Sequence, residues 1–178
     1  MSAPVAAKAE VKDSIAAEYE SVRATFHALL DSLSDADVQK QSRNRGWKNG
    51  EILFHMTFGF IVVSALIPMV RVWARLPRGF SKVFAWILNG LAGPFNWING
   101  IGARGGSKFF RKKRLGPKFD KVYASMLRKL NSVGDDEWRR GMYFPEKWDG
   151  LFKKYMTLED VLRFPVVHFR FHLDQIAR

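Results

Sequence analysis

Apolar residues recur at helical spacing four times along this chain, and nowhere do they alternate at the period of a strand. Ile15, Tyr19, Val22, Phe26, Leu29 and Leu33 form one stripe within residues 11–33. Ile52, His55, Phe58 and Val62 form a second within 49–67, and Phe119, Val122, Met126, Leu127 and Leu130 a third within 118–130. The fourth helix is expected to start at Thr157, with Asp160 at the capping-box position, and to run to the C-terminus with a local kink at Pro165. Asn49 is placed to cap the second helix, Glu51 suits the positive end of its dipole, and Pro68 is expected to interrupt it. Gly59, one turn after His55, would let a neighbouring helix approach closely. Ser34–Asp37 and Ser42–Gly46 read as polar connections. Each stripe needs a partner face, so the economical reading is an all-α four-helix bundle, one domain over residues 1–178.

Composition narrows the chemistry. A chain of 178 residues with 15 Phe and 6 Trp has enough apolar mass for one core, which argues against disorder. Cysteine is absent, so a disulfide framework, a Cys-ligated zinc or iron–sulfur site and a thiol nucleophile are all excluded. The stretch Met1–Lys12 is Ala-rich, carries Lys8, Glu10 and Lys12, and has no apolar signal core, so a cytoplasmic location is expected.

Charge is distributed unevenly. The net charge is +12, yet residues 52–119 contain no Asp or Glu and 11 Lys or Arg: Arg71, Arg75, Arg78, Lys82, Arg104, Lys108, Arg111, Lys112, Lys113, Arg114 and Lys118. Such asymmetry points either to an anionic partner or to a solvated basic loop. Residues 68–117, rich in Pro, Gly and Trp, read as an insert between the second and third helices, with a short apolar helix at 80–90 and a turn-rich or short helical piece at 94–102.

Two uncharged runs, 52–70 and 83–103, have the length of a membrane span. The first carries His55 and matches the bundle pattern. The second contains Asn89, Gly90, Gly93, Pro94, Asn96 and Asn99, which suit a lipid-exposed helix poorly. Two placements of the insert stay open. It packs on the bundle or on a second copy in a homodimer, closing the pocket as a lid. Alternatively it lies peripherally on an anionic membrane, with Trp86, Trp97 and Phe95 inserted and Arg111, Lys112, Lys113 and Arg114 at the headgroups. A nucleic-acid partner is not expected, because no recognition helix stands out.

Only four His occur. His168 and His172 stand four apart on the last helix and project from one face, and His55 lies on the inward stripe of the second helix. Three imidazoles pointing into a bundle would lose solvation and repel one another if protonated, a problem a divalent ion removes. Three protein ligands would leave one coordination position open, as in catalytic metal sites. The alternative is a set of core histidines bonded to carbonyls. His27, with Glu20, Arg23 and Asp31 as helical neighbours, is expected on an exposed face. Asp174 and Gln175 are candidates to hydrogen-bond a ligating imidazole, and Tyr143 and Glu146 candidates for the mouth of the site.

With these residues in view, the chain resembles the DinB-like superfamily of metal-binding four-helix bundles. Two blocks carry the resemblance: Gly46-Trp47-Lys48-Asn49-Gly50-Glu51-Ile52-Leu53-Phe54-His55, and Thr157-Leu158-Glu159-Asp160 leading to His168-Phe169-Arg170-Phe171-His172-Leu173-Asp174-Gln175-Ile176. The resemblance implies up-down-down-up helix order with a long crossing between helices two and three. It also implies a divalent ion, nickel or zinc foremost, on His55, His168 and His172. Several family members are thiol-dependent transferases or isomerases, which implies a small-molecule substrate and a low-molecular-weight thiol; hydrolysis by a metal-activated water is the other route. Against the enzyme stands a metal-stabilised binding module that attaches to membranes or a protein partner through 68–117.

Overall fold

The computed structural model describes residues 3–109 and 111–177; Met1, Ser2, Phe110 and Arg178 lie outside the described residues, as do the side chains of residues 3–8, Lys108 and Phe109. In chain order the elements are α1 (Ala3–Ser32), α2 (Asp35–Gln39), α3 (Asn49–Trp73), α4 (Arg78–Gly90), α5 (Ala92–Phe109), α6 (Lys112–Asn131), β1 (Gly141–Tyr143), β2 (Tyr155–Thr157) and α7 (Leu158–Leu173). The chain is mostly helical.

The four apolar stripes become the core. Ile15, Tyr19 and Phe26 of α1, Ile52, Met56 and Phe60 of α3, Phe119 and Met126 of α6, and Leu162 and Phe169 of α7 are fully buried together. Phe119 stacks on Phe26 at 4.6 Å and meets Phe60 edge-on at 5.1 Å, so α1, α3 and α6 share one aromatic centre. The buried Tyr19 hydroxyl donates to the Leu162 carbonyl at 2.5 Å, which satisfies the only polar atom of that ring and ties α1 to α7.

Contacts also set how the long helices run. Against α6, α1 pairs Lys12 with the Asn131 carbonyl at one end and His27 with Asp120 further along. Between α1 and α7 the pairs are Arg163 with Glu18 and Phe26 with Phe169. From α3, Ser64 reaches Ser125 and Arg71 reaches Ser132, at the α6 end of the molecule. Against α7, α3 sets Asn49 beside Ala177 and His55 beside His168.

Several local expectations are corrected. Asn49 does not cap α3. The Glu51 carboxylate accepts the Lys48 N–H at 2.8 Å, while the Asn49 amide group donates to the Asp37 and Ala177 carbonyls and accepts from the Ala177 N–H. Asn49 therefore fastens the C-terminal segment to the base of α3. Pro68 does not end α3, which continues to Trp73. A proline removes one backbone hydrogen bond, but Ile67 and Val70 beside it are buried and hold the helix on course. Ser34–Asp37 is not a plain connection: Ser34 accepts from the Asp37 N–H, and Asp37 from the Ser34 N–H, which caps the five-residue α2.

The expected piece at 94–102 is the 18-residue α5, and α6 begins at Lys112 and carries Pro117 within it. The segment between α3 and α6 is thus 74–111 rather than 68–117. The Thr157–Asp160 capping box is present as expected, but α7 stops at Leu173 rather than running to the C-terminus. β1 and β2 pair antiparallel with Met142 opposite Met156, a feature absent from the sequence reading because three residues carry no usable alternation. The 52–70 run lies in α3, the one helix among the described residues long and apolar enough to cross a membrane. Its Ile52, Leu53, Phe60 and Ile67 are core residues packed on α6 and α7, which accounts for that apolar content.

Candidate metal centre

The loop before α3 prepares the first imidazole. Gly46 has φ +91°, a left-handed conformation open to glycine at little cost, and the chain there doubles back so that Ser42 N–H and Oγ both donate to the Trp47 carbonyl. Trp47 is thereby laid edge-on against the His55 ring at 5.0 Å. The second pair comes from α7, where the four-residue spacing puts His168 and His172 on one face with ring centroids 4.5 Å apart.

Gly59 lets α7 close in. A Cβ at that position would lie 2.6 Å from His168 Nδ1, so the imidazole occupies the space a side chain would need. His55 sits 4.9 Å from His168 and 4.6 Å from His172 between ring centroids, and one nitrogen from each of the three rings lies within 4.8 Å of the others. All three are buried, at 7%, 3% and 8% exposure.

Electrostatics holds these rings neutral. Burial, reinforced by His172, pushes His55 down to about 3 from 6.5. Burial and the two neighbouring rings push His168 well down, and burial lowers His172 despite the opposing pulls of Gln175 and Asp149. Gln175 Oε1 accepts from His172 Nδ1 at 2.9 Å and from Asn44 Nδ2 at 3.4 Å. That fixes the His172 proton on Nδ1 and leaves its Nε2 lone pair free.

The other two rings are not satisfied by the protein. Nε2 of His55 and Nε2 of His168 face each other at 3.2 Å, while Nδ1 of each is buried without a partner. Two neutral rings can share one proton between facing nitrogens; a cation there would use both lone pairs at once. Two nitrogens bound tetrahedrally to one ion at about 2.1 Å lie about 3.4 Å apart, close to the spacing found. The donor set therefore fits a divalent ion of the nitrogen-preferring kind.

Above the imidazoles is a narrow apolar cleft. Phe58, Val62, Phe95, Phe144, Phe152 and Phe164 line it, with Asn99, Trp148 and Asp149 among the polar-bearing residues. The cleft has a volume of about 60 Å³. Phe95 of α5 stacks on Trp148 at 3.9 Å, and the Trp148 indole donates to the Leu88 carbonyl at 2.6 Å, so α4, α5 and the β1–β2 loop are joined over the cleft.

The sequence candidates divide. His55, His168, His172 and Gln175 are brought together. Asp174 is exposed, its main-chain carbonyl accepts from Arg43, and no imidazole contact falls to its carboxylate among the described residues. Asp174, the residue just after α7, faces away because it follows His172 by two positions, and only every third or fourth position shares a face. Tyr143 packs on Tyr155 and Glu146 is exposed; neither lines the cleft. His27 is half-exposed and sits 2.9 Å from Asp120, remote from the centre.

Phe95 points into the cleft, not outward, whereas Trp86 and Trp97 are 76% and 69% exposed. Of the basic run, Lys112 donates to the Leu33 carbonyl at the end of α1, while Arg111, Lys113 and Arg114 are exposed. The carboxylate that sequence reasoning missed is Asp149. Its Oδ1 accepts the Leu151 N–H at 2.9 Å and its Oδ2 lies 4.0 Å from His168 Nε2. Burial raises its pKa, against the opposing effects of the Leu151 amide and His172. The available signal was the Pro145–Gly150 loop, which holds both Glu146 and Asp149; which of the two turns inward is a property of the fold.

Compared with known proteins, residues 18–176 match the DinB superfamily. The chain belongs to the DinB superfamily. This DinB protein is similar in fold to a solved structure, the mycothiol-dependent maleylpyruvate isomerase, with a TM-score of 0.64 at 11% sequence identity. The likeness covers 93% of this chain but 60% of that one, so it is a likeness of fold. No curated protein matches this sequence.

Proposed function

We propose that this DinB protein is a divalent-metal-dependent enzyme in which His55, His168 and His172 hold the ion, with nickel or zinc foremost, and a low-molecular-weight thiol reacts with a small, largely apolar substrate in the cleft. The observation that carries the reading is the meeting of three neutral, buried imidazoles, two of which, His55 and His168, line that cleft. We read α1, α3, α6 and α7 as the DinB bundle in up-down-down-up order, with 74–111 as the long crossing. The supporting contacts are the antiparallel pairs Lys12–Asn131 and His55–His168, and the parallel pairs Glu18–Arg163 and Ser64–Ser125.

When bound, an ion with three protein ligands supplies Lewis acidity at an open position, which lowers the pKa of a thiol or water placed there. The residues around it have separable tasks. Gln175 holds His172 in one tautomer and orientation. Asp149, beside the imidazoles and raised by burial, is suited to take the proton that an incoming thiol loses. The Asn99 amide is placed for a polar end of the substrate, and the Phe95–Trp148 stack keeps bulk water out. The apolar lining favours thiol over water, because sulfur needs few hydrogen bonds. A chain without Cys must take that sulfur from outside.

The test is consumption of free thiol by protein loaded with nickel or zinc, in the presence of small apolar electrophiles. Asp149→Asn is expected to slow turnover by about two orders of magnitude with metal content unchanged. A loaded site that consumes no thiol with any electrophile would sink the proposal.

A further inference from the structure

Ten of the twelve exposed large hydrophobic side chains among the described residues fall within 72–101. On α4 they lie away from the side that packs on the protein, where Phe84 stacks on Trp73 at 4.5 Å. The side facing β1 carries Ser81 and Ala85, and Ser81 Oγ accepts the Tyr143 N–H at 3.3 Å. The outward side carries Phe80, Val83, Ile87 and Leu91, at successive helical positions, with Trp86 beside them. On α5 the outward side carries Trp97, Ile98 and Ile101, and Arg104 follows on the same face two turns after Trp97. Monomeric proteins seldom leave apolar residues gathered this way without a partner.

Charge decides what the partner is. No acidic residue occurs from 52 to 119. Some cations of that stretch are already engaged: Arg71 and Arg75 with Glu137, Lys112 with the Leu33 carbonyl, Arg78 over the Tyr155 ring. Lys82 and Arg104 on the two helices, and Arg111, Lys113 and Arg114 at the start of α6, have no acidic partner among the described residues. A second copy applied to the same face would add its own Lys82 and Arg104, and neither helix offers an acidic residue to offset them. An anionic bilayer surface supplies both an apolar layer for Trp and Phe and negative headgroups for Lys and Arg.

We propose that the outward faces of α4 and α5 dock this protein peripherally on an anionic membrane, with Trp86 and Trp97 as inserted side chains and Lys82 and Arg104 at the headgroups. The docking is independent of the metal centre, since the inserted residues face away from the cleft.

Full-length protein is sedimented with vesicles of phosphatidylcholine alone or mixed with phosphatidylglycerol, at low and raised salt. Binding is expected to the phosphatidylglycerol vesicles only, weakened by salt, with a blue shift of Trp emission. Trp86→Ser and Trp97→Ser are each expected to lower the partition by roughly tenfold, and Arg104→Glu by a similar factor. Val167→Ser, at an exposed apolar residue elsewhere, leaves it unchanged. Circular dichroism and metal content stay the same in all four, since each site is on the surface. No binding, or equal binding to both vesicles, overturns the proposal. So does a dimer in sedimentation velocity that Trp86→Ser dissociates, because a second copy would then cover the face.

Discussion

The centre between α3 and α7 and the outer faces of α4 and α5 depart from the usual partition of residues in opposite directions. One buries polar rings and the other exposes apolar ones. At the centre, five elements of structure serve three side chains: the Gly46 turn, the Trp47 edge, the bare Gly59 backbone, the α7 repeat and the Gln175 acceptor. Even so, two Nδ1 atoms stay unpaired, each costing about 1–3 kcal/mol if nothing else meets them. On α4 the reverse holds, for Phe80, Val83, Trp86 and Ile87 face out while Ser81 and Ala85 are buried. The first region tolerates far less change than the second, because its groups are enclosed.

Removing a ligand should separate the two regions most sharply. His168→Ala is expected to reduce bound nickel or zinc from about one equivalent to near none, measured by mass spectrometry, with helical content retained. Loss of the fold together with the metal would mean that the ion is structural. Gly59→Ala comes next. Its methyl group must displace the His168 ring, so a loss of about 1–3 kcal/mol in denaturant unfolding is expected, with weaker metal binding. Gln175→Leu frees the His172 ring and should weaken metal affinity by about 10–100-fold in chelator competition, with little change in stability.

Acid should act on the centre and not on the outer face. His55 takes up a proton near 6.5 when unfolded but near 3 when folded, so the unfolded state binds more protons between those values. The stability this contributes is fully present above 6.5 and is lost as pH falls toward 3. Urea midpoints of metal-free protein are expected to drop across that window, with a shallower drop in His55→Leu. The smallest effect belongs to the outer face: Phe80→Ser or Trp86→Ser in free solution should change unfolding free energy by less than about 0.5 kcal/mol. A larger loss in monomeric protein would show that the face is packed after all.

Much of this was legible in advance because it is local. The stripe Ile15–Tyr19–Val22–Phe26 and the Thr157–Asp160 capping box are each written within about three helical turns, and both hold in the structure. So is the pairing of His168 with His172, which needs nothing beyond helical periodicity. Pro68 misled as a local signal because its buried neighbour Ile67 helps carry the helix through it. The Gly-rich 92–109 segment hid a helix for the same reason, since α5 draws support from packing on α3.

By itself, then, the sequence determined the helices, the apolar stripes and three histidines on inward faces, since each depends on residues a few positions apart. Only the tertiary structure decided that Nε2 of His55 and of His168 would meet at 3.2 Å, that Asp149 and not Glu146 would stand beside them, and that Phe95 would turn inward while Trp97 turned out. Those outcomes depend on where α3, α5, α7 and the β1–β2 loop come to rest against one another. That placement follows from packing the whole core at once, and no short stretch of chain contains it.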